Sequence, residues 1–248
     1  MTEKLSNDEL KRRIGDMEEN LKEIRENIAQ AAVKSGRKPE DITLLAATKT
    51  VPVEVINRSI ELGVDHIGEN RVQEMMDKYD AYELEHCKLH FIGHLQVNKV
   101  KYLIGRVAMI QSVDSEKLAG EVSRLSVKKG VTTDVLLEVN IGREENKSGV
   151  MPEKLPELLH AVSLLPAIRV RGLMAIPPAG ASEAETRNFF LRMDQYFIDT
   201  KHEKIDNVTM DYLSMGMSAD YSQAILAGAN MVRVGTALYG PRNYAKGK

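Results

Sequence analysis

Ile42-Thr43-Leu44-Leu45-Ala46-Ala47-Thr48-Lys49-Thr50 is an apolar, β-compatible run that ends on a lysine. Pro39-Glu40-Asp41 precedes it and Pro52 follows it, so it reads as one strand buried on both faces. That reading puts Lys49 at the C-terminal mouth of the strand. Loss of water there disfavours the ammonium and moves the amine toward the range in which it attacks a carbonyl. Taken alone, the stretch favours the plainer reading, a lysine that pairs with a carboxylate or snorkels to solvent.

Upstream, Ser6 and Glu9 have the spacing of a capping box, and apolar residues fall at Leu10, Ile14, Met17, Leu21, Ile24 and Ile28. The spacing predicts one long amphipathic helix over about 7–35, closed by Ser35-Gly36 and packed on its own domain rather than in a coiled coil. Downstream, Pro52 opens a helix that stops at Gly63. The same unit then recurs: a short apolar run, a polar or glycine-containing mouth, a helical segment. The runs are 65–68, 88–93, 107–113, 134–139, 168–176, 207–213 and 231–234, with mouths at Glu69-Asn70, His94, Asp114, Asn140, Pro177-Pro178, Ser214 to Ser218 and Gly235-Thr236. With the Lys49 strand this makes eight strands alternating with helices. Such alternation implies parallel strands with right-handed crossovers, and eight of them close into a (β/α)8 TIM barrel. An open doubly wound sheet is the alternative, but no GxGxxG follows the first strand.

The 248 residues suit one barrel domain, and no linker or low-complexity tract divides them, so residues 1–248 are read as a single domain with a tail, 245–248, expected to fray. A net charge of -2 gives no electrostatic case for nucleic acid or an anionic membrane. Cys87 is the only cysteine, so there is no intramolecular disulfide and no cysteine metal cluster, and no metal site is assigned. The polar start and the lack of a span-length apolar run make a cytoplasmic protein the default.

In a barrel the working residues lie at the C-terminal strand ends, which gathers Lys49, Asn70, Asp114, Asn140, Ser214, Ser218, Arg233, Gly235 and Thr236 near one mouth. Polar residues also lie at strand ends simply because strands end where polarity begins. The last two mouths are more specific. Met215-Gly216-Met217-Ser218 and Gly235-Thr236 each precede a helical turn, where small residues let backbone N–H groups approach an anion, and hydroxyls add donors. An ordinary glycine turn with a serine cap has the same shape. A desolvated lysine on strand one, opposite a phosphate cup on strands seven and eight, is the arrangement that pyridoxal 5'-phosphate (PLP) requires. Arg233, two residues before Gly235 and on the same side of the strand, would reach the pyridine nitrogen. The permanently cationic guanidinium would leave that nitrogen unprotonated.

AATKTVPVE around Lys49, GENRVQE around Asn70, HFIGHLQVNKVK from His90 to Lys101, LSMGMSAD from Leu213 to Asp220 and RVGTALYG from Arg233 to Gly240 closely resemble the YggS/PROSC family of pyridoxal phosphate homeostasis proteins. RVGTALYG also resembles the corresponding segment of the alanine racemase barrel domain. The resemblance implies a fold-type III PLP barrel with an internal aldimine on Lys49. It places Asn70 beside the cofactor, Ser218, Gly235 and Thr236 on the phosphate, and Arg233 at the pyridine nitrogen. Ser214, Met215 and Gly216 are counted in the same site.

Alanine racemases resembling this barrel add a C-terminal domain with a second base, a tyrosine; here only Lys49 is assignable, and two-base racemisation needs a group on each face of the substrate. The resemblance therefore implies an intracellular PLP carrier without turnover, with no catalytic residue assigned. Its partners would be PLP and apo PLP-dependent enzymes. A closed barrel has no sheet edge to pair, which favours a monomer. The alternative is a monomeric PLP-dependent racemase or lyase using Lys49 with His94 or Tyr239. A cofactor-free Schiff-base aldolase drawing on Asp114 ranks below both.

Overall fold

Eight parallel strands close on themselves in chain order: β1 (Thr43–Ala47), β2 (His66–Glu69), β3 (Lys88–Phe91), β4 (Met109–Val113), β5 (Thr133–Val139), β6 (Ile168–Ala175), β7 (Val208–Ser214) and β8 (Met231–Val234). The computed structural model describes residues 6–241, so the tail at 245–248 lies outside the described residues. Closure is made by β8 against β1, with Leu45 opposite Arg233 and Ala46 opposite Val234. This pairing excludes the open sheet.

The first strand is shorter than the sequence predicts. Strand pairing ends at Ala47, although Thr48 N still donates to Gly68 O at 2.9 Å. Thr50 then turns the chain with φ 62, ahead of Pro52. Lys49 therefore stands on a tight turn just past the strand.

Helix α1 (Asn7–Lys34) carries the expected capping box, with Glu9 N donating to Ser6 Oγ and Ser6 N donating to a Glu9 carboxylate oxygen. Its apolar stripe, Met17, Leu21, Ile24 and Ile28, is buried. The stripe packs on α2 (Val53–Glu61) and on the two short helices that end the barrel, α7 (Tyr221–Leu226) and α8 (Thr236–Tyr239). Helices of six and four residues cover little of the barrel wall. The long helix supplies the missing apolar cover, which is why its stripe stays within the domain. Asn20 Nδ2 donates to Leu238 O at 3.1 Å and Asn27 Nδ2 to Tyr221 Oη at 3.2 Å, fixing its register.

Between them lie α3 (Val72–Lys78), α4 (Glu116–Lys129), α5 (Leu155–Ser163) and α6 (Glu183–His202); the connection from β3 to β4 is a 3-10 helix, Val97–Tyr102. No described helix is long and apolar enough to cross a membrane.

Two kinds of core result. One is the layer between strands and helices. The other is the barrel interior, where Leu45, Ile92 and Met231 form one cluster and Met109, Leu136 and Met174 another, with Tyr212 touching both. Polar side chains share that interior: His90, Gln111, Ser214 and Arg233 are all buried.

Candidate functional site

The register makes β7, β8, β1 and β2 one continuous arc, with Ser214 opposite Met231, Leu45 opposite Arg233 and Ala47 opposite Gly68. The sequence places the glycine cups of strands seven and eight opposite the lysine. Closure corrects this, because β8 is the hydrogen-bonded neighbour of β1 and the cup therefore adjoins the Lys49 turn. A side chain at Gly235 would already crowd Ala47, its Cβ falling 3.2 Å from Ala47 O.

Each mouth is built locally. Ser218 Oγ accepts hydrogen bonds from Gly235 N at 3.2 Å and Ala237 N at 3.1 Å, so two backbone donors at the start of α8 converge on one oxygen. Thr236, between them, is exposed. Gly216 O accepts from Arg233 N at 3.0 Å, which ties the β7 mouth to β8. Met215 is fully buried in the layer under the helices, so it borders the mouth through its backbone. On the other side of Lys49, Asn70 follows β2 and its Oδ1 is buried with no hydrogen-bond partner among the described residues. Its backbone is pressed so closely by the β3 mouth that a Cβ on Gly93 would fall 2.1 Å from Asn70 O. Glycine is therefore required there. Asn140 is committed elsewhere, clasping its own loop through Nδ2 to Glu144 O at 2.8 Å and Oδ1 from Glu144 N at 3.0 Å.

Inside the barrel a chain of hydrogen bonds runs between strands. Gln111 contacts His90 Nδ1 through its Nε2 at 3.0 Å and accepts from Ser214 Oγ at 2.7 Å; Arg233 donates to Ser214 Oγ at 2.7 Å and to Ala175 O at 3.0 Å. Burial lowers the Arg233 pKa to about 10, partly offset by Glu138 and Asp220. Glu138, near the end of β5, is buried with Oε2 unpartnered among the described residues. Burial first, then the charge of Asp114, pushes its carboxyl up to about 7, against the pull of Arg233.

That shift has a sign. Between 4.5 and about 7 the folded Glu138 holds a proton that the unfolded chain has released, so its contribution to stability falls as pH rises through this window. The full effect is about 3 kcal/mol. His90, held neutral by burial with its pKa lowered to about 3, works in the opposite direction as pH drops below 6.5. Glu138→Gln isolates the first term: its stability relative to the wild type should rise by about 2–3 kcal/mol from pH 4.5 to pH 7.5 in urea unfolding. A difference that does not change with pH would refute the assignment.

Sequence reasoning passed over several residues that matter here. Glu138 carried a signal, being a carboxylate inside an apolar strand. Gln111 carried a related one, being a polar amide inside an apolar strand. Glu69 lay unused in the Gly68-Glu69-Asn70 mouth; it is fully buried and accepts from Thr48 Oγ1, Lys78 Nζ and Tyr82 Oη. Tyr239, weighed as a second acid or base, is buried under the helices with its hydroxyl 2.8 Å from Ser59 Oγ on α2. His94 is exposed after β3.

Residues 20–243 match the family described as alanine racemase, N-terminal domain. A pyridoxal phosphate homeostasis protein of Aquifex aeolicus is 44% identical over 226 residues, covering 91% of this chain and 98% of that protein. The Escherichia coli K12 protein of the same name is 38% identical over 236 residues, covering 94% of this chain and 100% of its own. Among solved structures, an unknown protein from Bifidobacterium adolescentis superposes with a TM-score of 0.88 at 33% identity, covering 96% and 98% of the two chains. PipY of Synechococcus elongatus, solved with PLP bound, gives a TM-score of 0.75 at 32% identity, covering 86% of this chain and 100% of that one.

Proposed function

The chain belongs to the pyridoxal phosphate homeostasis protein family, and from that premise we propose that it binds PLP at the arc of β7, β8, β1 and β2, with Lys49 as the covalent tether. The observation that carries the reading is the convergence of two backbone donors, Gly235 N and Ala237 N, on an oxygen beside the Lys49 turn. The buried, unpartnered Oδ1 of Asn70 on the other side of that turn fits a polar guest.

When bound, PLP supplies an aldehyde that condenses with a lysine amine with loss of one water. The protein's part is to hold and orient. Ser218, Gly235 and Thr236 would take the phosphate, and Asn70 would lie beside the ring. Arg233 would face the ring nitrogen, oriented by Ser214 and Ala175 O from below. Gly216 and Met215 would contribute backbone. A permanently charged guanidinium at that nitrogen keeps it from taking a proton and so weakens the ring as an electron sink.

A carrier role fits this arrangement better than turnover. Two-base racemisation needs an acid or base on each face of the substrate, and the inward-bonded Tyr239 cannot serve from under the helices. The racemase or lyase reading keeps only His94. Residues 1–248 would then act as a single-domain cytoplasmic monomer that passes PLP to apo PLP-dependent enzymes.

The test is reduction of the PLP-loaded protein with borohydride followed by peptide mapping. Lys49 is expected to carry the reduced adduct. Modification only at other lysines, or none, would overturn the proposal. Deuterium uptake at Cα across an amino-acid panel, well above that of free PLP, would move the conclusion to an enzyme.

A further inference from the structure

The turn that carries Lys49 is gripped from below by a set of charges on β2 and α3, with Glu69 fully buried and Glu74 and Lys78 half-buried. Thr48 Oγ1 donates to Glu69 Oε1 at 2.8 Å and to Gly68 O at 3.1 Å. Lys78 Nζ donates to Thr48 O at 3.2 Å, to Glu69 Oε1 at 3.2 Å and to Glu74 Oε1 at 2.6 Å. Glu74 in turn accepts from Thr50 N. Tyr82 Oη adds a third donor to Glu69 Oε1 at 2.7 Å. The residues on both sides of Lys49 are thus bonded to one cluster.

Two features make this more than packing. Thr50 has φ 62, the left-handed region that a β-branched residue adopts at a steric cost, and it is held there by a carboxylate on its backbone N–H. Glu69 is fully buried, with Oε2 unpartnered among the described residues. A buried carboxylate pays desolvation that an apolar residue of similar size avoids, so the fold by itself gains little from Glu69. What the cluster does secure is the direction in which the chain leaves Thr48 and enters Thr50. That direction sets where the Lys49 side chain starts.

We propose that Thr48, Glu69, Glu74 and Lys78 are positioning residues that clamp the Lys49 turn and hold its amine in the orientation that captures an aldehyde. The proposal rests on Lys49 being the tether, and its test is arranged so that the two can fail separately. Thr48→Val removes the hydroxyl at nearly constant volume, Thr48→Ser restores it, and Glu74→Gln acts from a half-buried helix position where folding is undemanding.

Two measurements apply to each variant. The first is the equilibrium constant for PLP capture, read as borohydride-reducible absorbance. The second needs no cofactor: competitive acetylation of the apo-protein with acetic anhydride across pH, with Lys49 quantified by mass spectrometry. Thr48→Val and Glu74→Gln should weaken capture by about tenfold and displace the Lys49 labelling profile, while Thr48→Ser stays within about twofold of the wild type. A merely structural role would lower the melting temperature and leave both readouts unchanged, and that result would overturn the clamp. If Thr48→Val does not fold, Glu74→Gln decides. If wild-type protein captures no PLP, the tether reading fails, and the acetylation profiles still decide whether the turn is clamped.

Discussion

Lys49→Ala is expected to abolish the borohydride-reducible absorbance entirely and to weaken PLP retention by about 100-fold or more, because the donors of the cup then hold the cofactor by non-covalent contacts alone. Lys49→Arg should fail in the same way: it keeps the charge, but a guanidinium is not a free amine and does not condense with an aldehyde. Both variants should still fold, since Lys49 is half-buried on the turn just past β1 rather than in either core. Purified Lys49→Ala protein that retains the reducible band would defeat the tether assignment. Retention of weak, non-reducible PLP binding would support the separate assignment of Ser218, Gly235 and Thr236.

Arg233→Met should produce the largest loss of stability of any change near the mouth. The guanidinium is buried inside the barrel, where it satisfies Ser214 Oγ and Ala175 O and offsets the Glu138 carboxylate. Removing one member of such a set leaves the others buried without compensation, at a cost of about 3–5 kcal/mol, which for a chain of this length is a fall of about 10 °C in Tm. Measured above pH 8, where Glu138 is otherwise ionised, adding Glu138→Gln should recover part of that loss, because the group left unpaired is then neutral; purely additive effects in the double variant would show that the two do not interact. Arg233→Lys should fall between, keeping the charge and losing the fork that spans two acceptors. Thermal melts and urea titrations of five proteins, the wild type, Arg233→Met, Arg233→Lys, Glu138→Gln and the double variant, are sufficient to decide.

The strand count, the extra helix with its capping box and the residues of the mouth were legible along the chain because each depends on periodicity or on a local signal. Lys49 ends an apolar run, Gly235-Thr236 opens a helical turn, and Ser6 with Glu9 caps α1. The pairing of those mouths was not legible. Whether a loop after the eighth strand lies across from or beside a loop after the first depends on which strands exchange hydrogen bonds, and they are 188 residues apart where Leu45 meets Arg233. Tyr239 was misjudged for the same reason. It was considered as a group to work with Lys49, whereas a four-residue helix turns it under α2 and onto Ser59.

By itself, then, the sequence determined an eight-unit parallel barrel with a lysine at one strand end and glycine-serine turns at two others, since alternation of apolar runs and amphipathic helices leaves few other ways to bury both faces of every strand. Only the tertiary structure decided that the lysine turn lies between the cup and Asn70, that Glu69, Glu74 and Lys78 grip it from below, and that Arg233 and Glu138 come near enough for their charges to act on each other. These are through-space contacts among buried and half-buried polar groups. Their energies come from desolvation and from the geometry of partners brought together by closure, and neither exists until the barrel has formed.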